Sequence, residues 1–523
     1  MMGAVRRRAG VDVELIVIAL FGAVVRARQY FSGRSLWVDE ALVANDLAEL
    51  SVFDSLTDRS PRSQLAPAGF WVVSHVADAI SSAEWMLRLF PFFAGLALLA
   101  VAVVYAVRWI EHRLARALLV GVIALSPSLI YYSAEVKQYG VEALLGMVAV
   151  FAVAERASLS RLAAVLLAFV MLAFSLPALL IVPVLGVLWF VTETRRRGAD
   201  PAVRYLAAPG AAIFTAWALA FAWAQLAKPS IMQGFWADAF APFPTSVSGI
   251  EWWARNTVGL SHLTLSNLGV PLHVEDPAWL TAGARLVALA LWGLVVVGVW
   301  RAVTALRQAR RTDRGVPSAV TKWFAVVPVT AVIGTSFAIA AMLEVYPFRG
   351  RLILVLVPLV AVAAAHGLDV LLSPRPSPGR VPQRLTESAA AVAAVVVALA
   401  AGLAAVTLLV DPTDRWDVEP AIEWIAANAD PDDTVVAYCF GDQQLRYYER
   451  HLDDAGLTRD PCLTSLAVDP VIERAGDGRL WFLHGHIRDD ADAVDVLAAH
   501  PAVTQAYRSD GVIALLVEPA STG

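Results

Sequence analysis

Long apolar stretches separated by short polar segments fill the first four hundred residues of the chain. Eleven of them read as membrane-spanning helices: 11–28, 86–107, 114–132, 139–155, 160–175, 177–193, 204–226, 280–300, 323–343, 352–372 and 388–410. A span needs about 20 predominantly apolar residues, and Ala391 to Val410 supply that length without a charge. The pattern changes after residue 410. Helical periodicity over 417–428, 441–452 and 489–499 alternates there with the apolar runs Thr434 to Phe440, Leu480 to Leu483 and Val512 to Val517, which predicts a small α/β domain. Asp417 ahead of Pro420 marks a helix start. The expected class is mostly α: a polytopic membrane protein with about 11 transmembrane helices over 1–410 and a small extracytoplasmic α/β domain over 411–523.

Composition agrees. Of 523 residues, 58% are hydrophobic and only 17% charged, against about 25% charged in soluble domains. A net charge of −5 provides no basic surface for nucleic acid. The arginines instead set an orientation. Arg6, Arg7 and Arg8 precede the first span and place the N-terminus in the cytoplasm. Alternate loops then hold 21 basic residues on the cytoplasmic side and 12 on the outward side, with 8 in the tail. An odd number of spans puts the tail outside the cytoplasm. The only cysteines, Cys439 and Cys462, both lie there; an oxidising compartment permits a disulfide, and two buried thiols are the alternative. The first apolar stretch lacks a small-residue cleavage site and reads as a signal anchor. In the tail, Asp489, Asp490 and Asp492 read as first-turn helix residues rather than as a metal or nucleotide site, and no Gly-rich phosphate loop accompanies them.

Polar residues at membrane depth are costly and point to function. They gather in the outward loops. The first loop, 29–85, carries Ser35-Leu36-Trp37-Val38-Asp39-Glu40-Ala41 ahead of a stretch suited to an interfacial helix; the second carries Tyr131-Tyr132-Ser133-Ala134-Glu135-Val136-Lys137-Gln138-Tyr139. The fourth, 227–279, holds Trp236, Asp238, Trp252, Trp253, His262 and His273, and the fifth holds Glu344-Val345-Tyr346-Pro347-Phe348-Arg349-Gly350-Arg351. A carboxylate can take a proton from an attacking hydroxyl while arginine or lysine neutralises a leaving phosphate. The outward loops offer both.

These segments, with Glu84 and Arg88 before the second span, resemble the GT-C membrane glycosyltransferases, of the protein O-mannosyltransferase and lipid A aminoarabinose transferase type. The resemblance covers roughly the first 370 residues, and an outward α/β tail is a common appendage in that superfamily. It implies a GT-C fold, a polyprenyl-phosphate monosaccharide as donor and the acidic residue of the first outward loop, here Asp39, as catalytic base. Two departures stand out. Lys137 replaces the usual arginine, keeping the charge but losing the bidentate fork, and a single Pro67 replaces a proline pair.

Each candidate also has a plainer reading. Asp39 could be the N-cap of the helix that follows, and Glu40 either a substrate contact or a solvated partner of Arg34. Glu135 and Lys137 are substrate contacts or a local interfacial ion pair, and Tyr139 belongs to the same motif. Arg349 and Arg351 bind phosphate beside Tyr346, or anchor at the headgroups. His262 and His273, even with Glu275 and Asp276, lack metal-ligand spacing and read as surface residues; the tryptophans read as interfacial aromatics, one of them a candidate to stack on a sugar. No cofactor is required, although a divalent cation between Asp39, Glu135 and a donor phosphate is chemically reasonable.

The expectation is an inverting hexosyl- or pentosyltransferase of the bacterial cytoplasmic membrane. It would move a sugar from a lipid-linked donor to a glycan, lipid or protein acceptor outside. The rival is a transporter or flippase for a lipid-linked glycan, though no repeat of spans is evident.

Overall fold

The structure, a computed structural model, describes residues 12–57, 64–227, 234–265, 278–312, 315–373, 383–413 and 416–518, apart from 432, 450–451, 453–455, 465, 486, 488–490 and 510. His273, Glu275, Asp276, Asp489 and Asp490 lie outside the described residues. The chain divides into two compact units. One comprises 1–31, 65–73 and 88–412, and the other 32–64, 74–87 and 413–523.

The first unit is helical. Among the described residues, six helices are long and apolar enough to cross a membrane: Leu89–Trp109, Ala178–Arg197, Ala199–Ala227, Leu286–Arg311, Ser318–Met342 and Glu387–Val410. The pair Arg113–Leu125 and Pro127–Ala134 makes a seventh if counted as one bent span. Where the remaining spans are expected stand the shorter apolar helices Tyr139–Ala154, Arg161–Phe174 and Leu356–Leu372, and the helix Val13–Tyr30. The chain is a multi-pass membrane protein. Leu356–Leu372 is buried along nearly its whole length, as a helix apolar on every side must be when other helices surround it.

The stretch 114–132 is not one straight span. It bends by 52° between its two halves, where Ser126 leaves helical geometry and Pro127 opens the next turn. A break at membrane depth frees carbonyls that lipid cannot satisfy. Arg26 satisfies them: fully buried, it donates to Ile123 O at 2.9 Å and to Ala124 O at 2.7 Å. At the other end of the unit the Asp369 carboxylate accepts the backbone N–H of Glu111 and His112, the latter at 2.8 Å, and the His112 ring at 2.8 Å.

The second unit contains a five-stranded sheet of order β2-β1-β3-β5-β4: β1 (Thr434–Ala437), β2 (Thr458–Arg459), β3 (Leu480–Gly485), β4 (Val503–Ser509) and β5 (Val512–Val517). β2, β1 and β3 are parallel; β5 runs antiparallel to β3, and β4 antiparallel to β5. β3 and β5 are buried at every position because both faces are covered. Val435, Ala437, Trp481, Leu483, Val512, Ala514 and Leu516 join the core on one face; Val436, Leu480, Phe482, Ile513, Leu515 and Val517 join the other. Cys439 and Cys462 form a disulfide across 23 residues. The β4–β5 turn places Gly511 at φ +68°, against the Trp416 ring, where any side chain would overlap the indole.

Candidate active site

The second unit carries the first-loop acidic motif. The helix Val38–Glu49 begins after Trp37, so Trp37 is its N-cap and Asp39 its second residue, which removes the N-cap reading of Asp39. Asp39 is partly exposed. Glu40, expected as a substrate contact or a solvated partner, is fully buried: its Oε2 accepts from Arg34 at 2.8 Å and from the Trp37 N–H at 3.2 Å. Its carboxylate therefore shapes the loop from inside. The residues just ahead are bonded into the C-terminal part of the chain. The Ser35 N–H donates to Asp417 Oδ1 at 2.9 Å, the Val418 N–H donates to Ser35 Oγ at 2.9 Å, and the Leu36 N–H donates to the Tyr448 hydroxyl at 2.7 Å. Trp37 stacks on Trp416 with centroids 5.3 Å apart. Tyr448 in turn donates to Glu84, and burial, reinforced by that carboxylate, pushes its pKa well above the ordinary value, so the proton stays.

The first unit carries the other candidates. Residues 130–143 are buried without a gap, with Glu135 at 0% and Lys137 at 4% exposure, so an exposed surface ion pair is not what this loop contains. Taking such charges out of water costs several kcal/mol per ion unless they are compensated. The chain packs tightly here. A Cβ at Gly95 would lie 2.5 Å from the Ser133 Cβ, and one at Gly140 would lie 2.6 Å from the Tyr132 carbonyl oxygen.

Around Tyr139 a cation site is assembled from three segments. The Arg351 guanidinium lies 5.6 Å from the Tyr139 ring centroid and 5.9 Å from that of Trp236. Trp236 is held there because the segment that follows it is bonded to residues 341–348: the Phe348 N–H donates to Ala239 O at 2.9 Å, and the Ala241 N–H to Ala341 O at 3.2 Å. Trp253, in the helix Val247–Leu265, packs its ring against Phe348 with centroids 5.6 Å apart and donates to Pro242 O at 2.9 Å. Tyr346, expected to donate to phosphate, gives its proton to Leu352 O at 2.9 Å and so fixes the turn bearing Arg351. Burial above all, then Glu142 and Tyr139, holds the Tyr346 hydroxyl well above its usual pKa. A guanidinium set over aromatic faces places a positive charge in partly desolvated surroundings, and that chemistry suits a phosphate.

The structure thus brings Tyr139, Tyr346 and Arg351 together, leaves Arg349 exposed two residues away, and places Lys137 two residues from Tyr139 in a buried loop. Trp236, read from sequence as an interfacial aromatic, is part of the cation site. Glu142 escaped the sequence reading. It is buried and accepts the Leu176 N–H at 3.1 Å, and the available signal was a lone carboxylate inside an apolar stretch. Asp417 was legible only as the mark of a helix start, and nothing local showed that it and Tyr448 hold the first-loop motif. Among the described residues no three His, Cys, Asp or Glu side chains are grouped to hold a metal ion.

No protein-family model matches the sequence, and no curated protein matches it. Two solved structures resemble the chain along its length. ArnT from Cupriavidus metallidurans bound to undecaprenyl phosphate aligns with 96% of this chain and 97% of its own, at 14% identity and a TM-score of 0.49. ArnT from Cupriavidus metallidurans in the apo state aligns with 97% of this chain and 98% of its own, at 16% identity and a TM-score of 0.41.

Proposed function

We propose that the chain is a membrane glycosyltransferase that moves a monosaccharide from a polyprenyl-phosphate carrier to a glycan, lipid or protein acceptor on the outer face of the cytoplasmic membrane. The observation that carries this reading is Arg351, half-buried between Tyr139 and Trp236 and near a loop that buries Lys137 and Glu135. Such a guanidinium is preorganised for a phosphate whose charge grows as the sugar leaves. Asp39 removes the proton from the acceptor hydroxyl as that oxygen attacks the anomeric carbon. The bond from the anomeric carbon to the phosphate oxygen breaks, and its electron pair departs with the lipid phosphate. One displacement inverts the anomeric centre. Arg351, Lys137 and Arg349 offset the charge on the leaving phosphate, and Glu135 orients the sugar. Tyr139 and Tyr346 hold Arg351, while Glu40 fixes the helix start that carries Asp39. Cleavage of the phosphate ester supplies the driving force, so no nucleotide sugar is needed outside the cell.

The test uses purified protein in nanodiscs with a panel of radiolabelled polyprenyl-phosphate sugars, envelope extract as acceptor, and Asp39→Asn beside the wild type. Label leaving one donor in the wild type and not in the variant is the expected result. Equal release in Asp39→Asn removes Asp39 as base. No release from any donor by the wild type overturns the enzyme reading in favour of a carrier for a lipid-linked glycan.

A further inference from the structure

The sheet of the second unit has the topology that usually makes a ligand crevice. β1 connects to β2 on one side through the helix Cys439–Tyr447, whereas β3 leads away to β4 and β5 on the other. In open α/β sheets, ligands bind outside the carboxyl ends of two neighbouring strands whose connections diverge in this way. Here that place holds a piece of the chain itself. Gly485, the last residue of β3, abuts Val418 and Gln444, since a Cβ on it would lie 2.7 Å from the Val418 side chain and 3.4 Å from Gln444 Oε1. Gln444 Nε2 donates to Leu36 O at 2.8 Å, while Tyr448 accepts the Leu36 N–H at 2.7 Å, so both peptide groups of Leu36 are held. Ser35 is held on both its N–H and its hydroxyl by Asp417 and Val418. In the helix that follows, Val38–Glu49, Asn45 Nδ2 donates to Gln443 O at 2.8 Å.

We infer that the crevice of the C-terminal sheet is a dock for Ser35–Trp37, and that Tyr448, Gln444 and Asp417 are positioning residues that set the start of the helix bearing Asp39. The inference rests on the proposed transferase reading for its catalytic half. Leu36 is one residue from the N-cap Trp37 and three from Asp39, too short a tether for the carboxylate to keep its place if Leu36 is released. A displacement of about 1 Å can cost on the order of 100-fold in rate. Donor capture, assigned to Arg351 and Lys137, is made by other segments, so the turnover number and the donor KM should separate.

The experiment has two arms on the full-length protein. Hydrogen exchange read by mass spectrometry follows the peptide covering 35–41, and steady-state kinetics follow kcat and donor KM, for wild type, Tyr448→Phe and Ser35→Ala. Tyr448→Phe removes the acceptor of the Leu36 N–H. It should speed exchange in 35–41 without speeding it in β1 and β3, and lower kcat by about 10-fold or more with donor KM within about twofold. Ser35→Ala, a milder lesion, should give the same pattern in smaller measure, which covers the case of a poorly folded Tyr448→Phe. Unchanged exchange in both Tyr448→Phe and Ser35→Ala overturns the dock even if the wild type is active. Faster exchange with unchanged kcat overturns the positioning role. A wild type that turns over no donor, with the exchange result intact, defeats the transferase reading and leaves only a structural dock.

Discussion

Replacing Gly140 by alanine pits two effects against each other, and the structure decides between them. The helix Tyr139–Ala154 should gain a little from the change: alanine is better than glycine by up to about 1 kcal/mol in a helix interior and by less in the first turn, where Gly140 stands. Against this, the new methyl would sit 2.6 Å from the Tyr132 carbonyl oxygen, 3.3 Å from its carbon and 3.5 Å from the Ser133 Cα. A carbon and a carbonyl oxygen settle near 3.3–3.6 Å, so the loop must retreat by roughly 0.7 Å. All three neighbours are backbone, and no flexible side chain can yield. Overpacking of this kind costs about 1–3 kcal/mol, which outweighs the small first-turn gain and leaves Gly140→Ala the less stable protein. Gly334→Ala is the control: the site lies in the helix Ser318–Met342 with nothing within 4 Å of the new methyl, so only the gain applies. Thermal unfolding of the two variants in the same detergent should place Gly140→Ala below wild type and Gly334→Ala at or above it. Donor turnover should fall about 10-fold or more in Gly140→Ala, because the displaced loop carries Glu135 and Lys137. A Gly140→Ala protein as stable and as active as Gly334→Ala would refute the claim that this loop is rigidly packed and that its position matters.

Trp236→Ala removes one of the two rings flanking Arg351 and should weaken polyprenyl-phosphate binding by about two- to fivefold, on a cation–π contribution of about 0.5–1 kcal/mol; an unchanged Kd by titration, beside a large loss in Arg351→Ala, would show that the ring does not hold the guanidinium. The hydrogen bond to Asp369 raises the His112 pKa above its ordinary 6.5, with burial opposing, so protonated His112 contributes stability that is complete below about 6.5 and disappears as pH rises through the folded-state value. The thermal stability gap between wild type and His112→Gln should accordingly be wider at about pH 5.5 than at about pH 9, and a gap independent of pH would deny the charged pair its role. Removing both cysteines opens a 23-residue loop and should cost about 3 kcal/mol in the chain-entropy account, read as a lower melting temperature of the full-length protein; an unchanged temperature would mean that the unfolded chain is restrained by other means.

How much of this was legible in the sequence varies with the range of the interaction. Hydrophobic periodicity is local, and helices occupy all eleven predicted stretches. The tail strands from Thr434, Leu480 and Val512 lie where their apolar runs begin. The short β2 and the half-exposed edge strand β4 went unseen, since an edge strand need not be apolar and a two-residue strand has no pattern. The helix Cys439–Tyr447 starts two residues earlier than its periodicity suggests, at the disulfide. Among the candidate residues, the types and their loops were readable, because carboxylates and cations in a chain this apolar are conspicuous.

Pairing was not readable. The sequence by itself determined that the chain crosses a membrane many times, carries a small α/β tail and confines its charges largely to the segments between the apolar stretches; each of these follows from transfer free energies summed over neighbouring residues. Only the tertiary structure decided that Arg26 closes the break before Pro127, that Glu40 turns inward to Arg34, and that Arg351 lies between Tyr139 and Trp236. It also decided that residues 32–64 belong to one unit with the tail. Each of these joins groups distant in the chain or sets the direction of a side chain. A buried polar group must find a partner, but which partner it finds is fixed by how the elements close around it rather than by its neighbours in sequence.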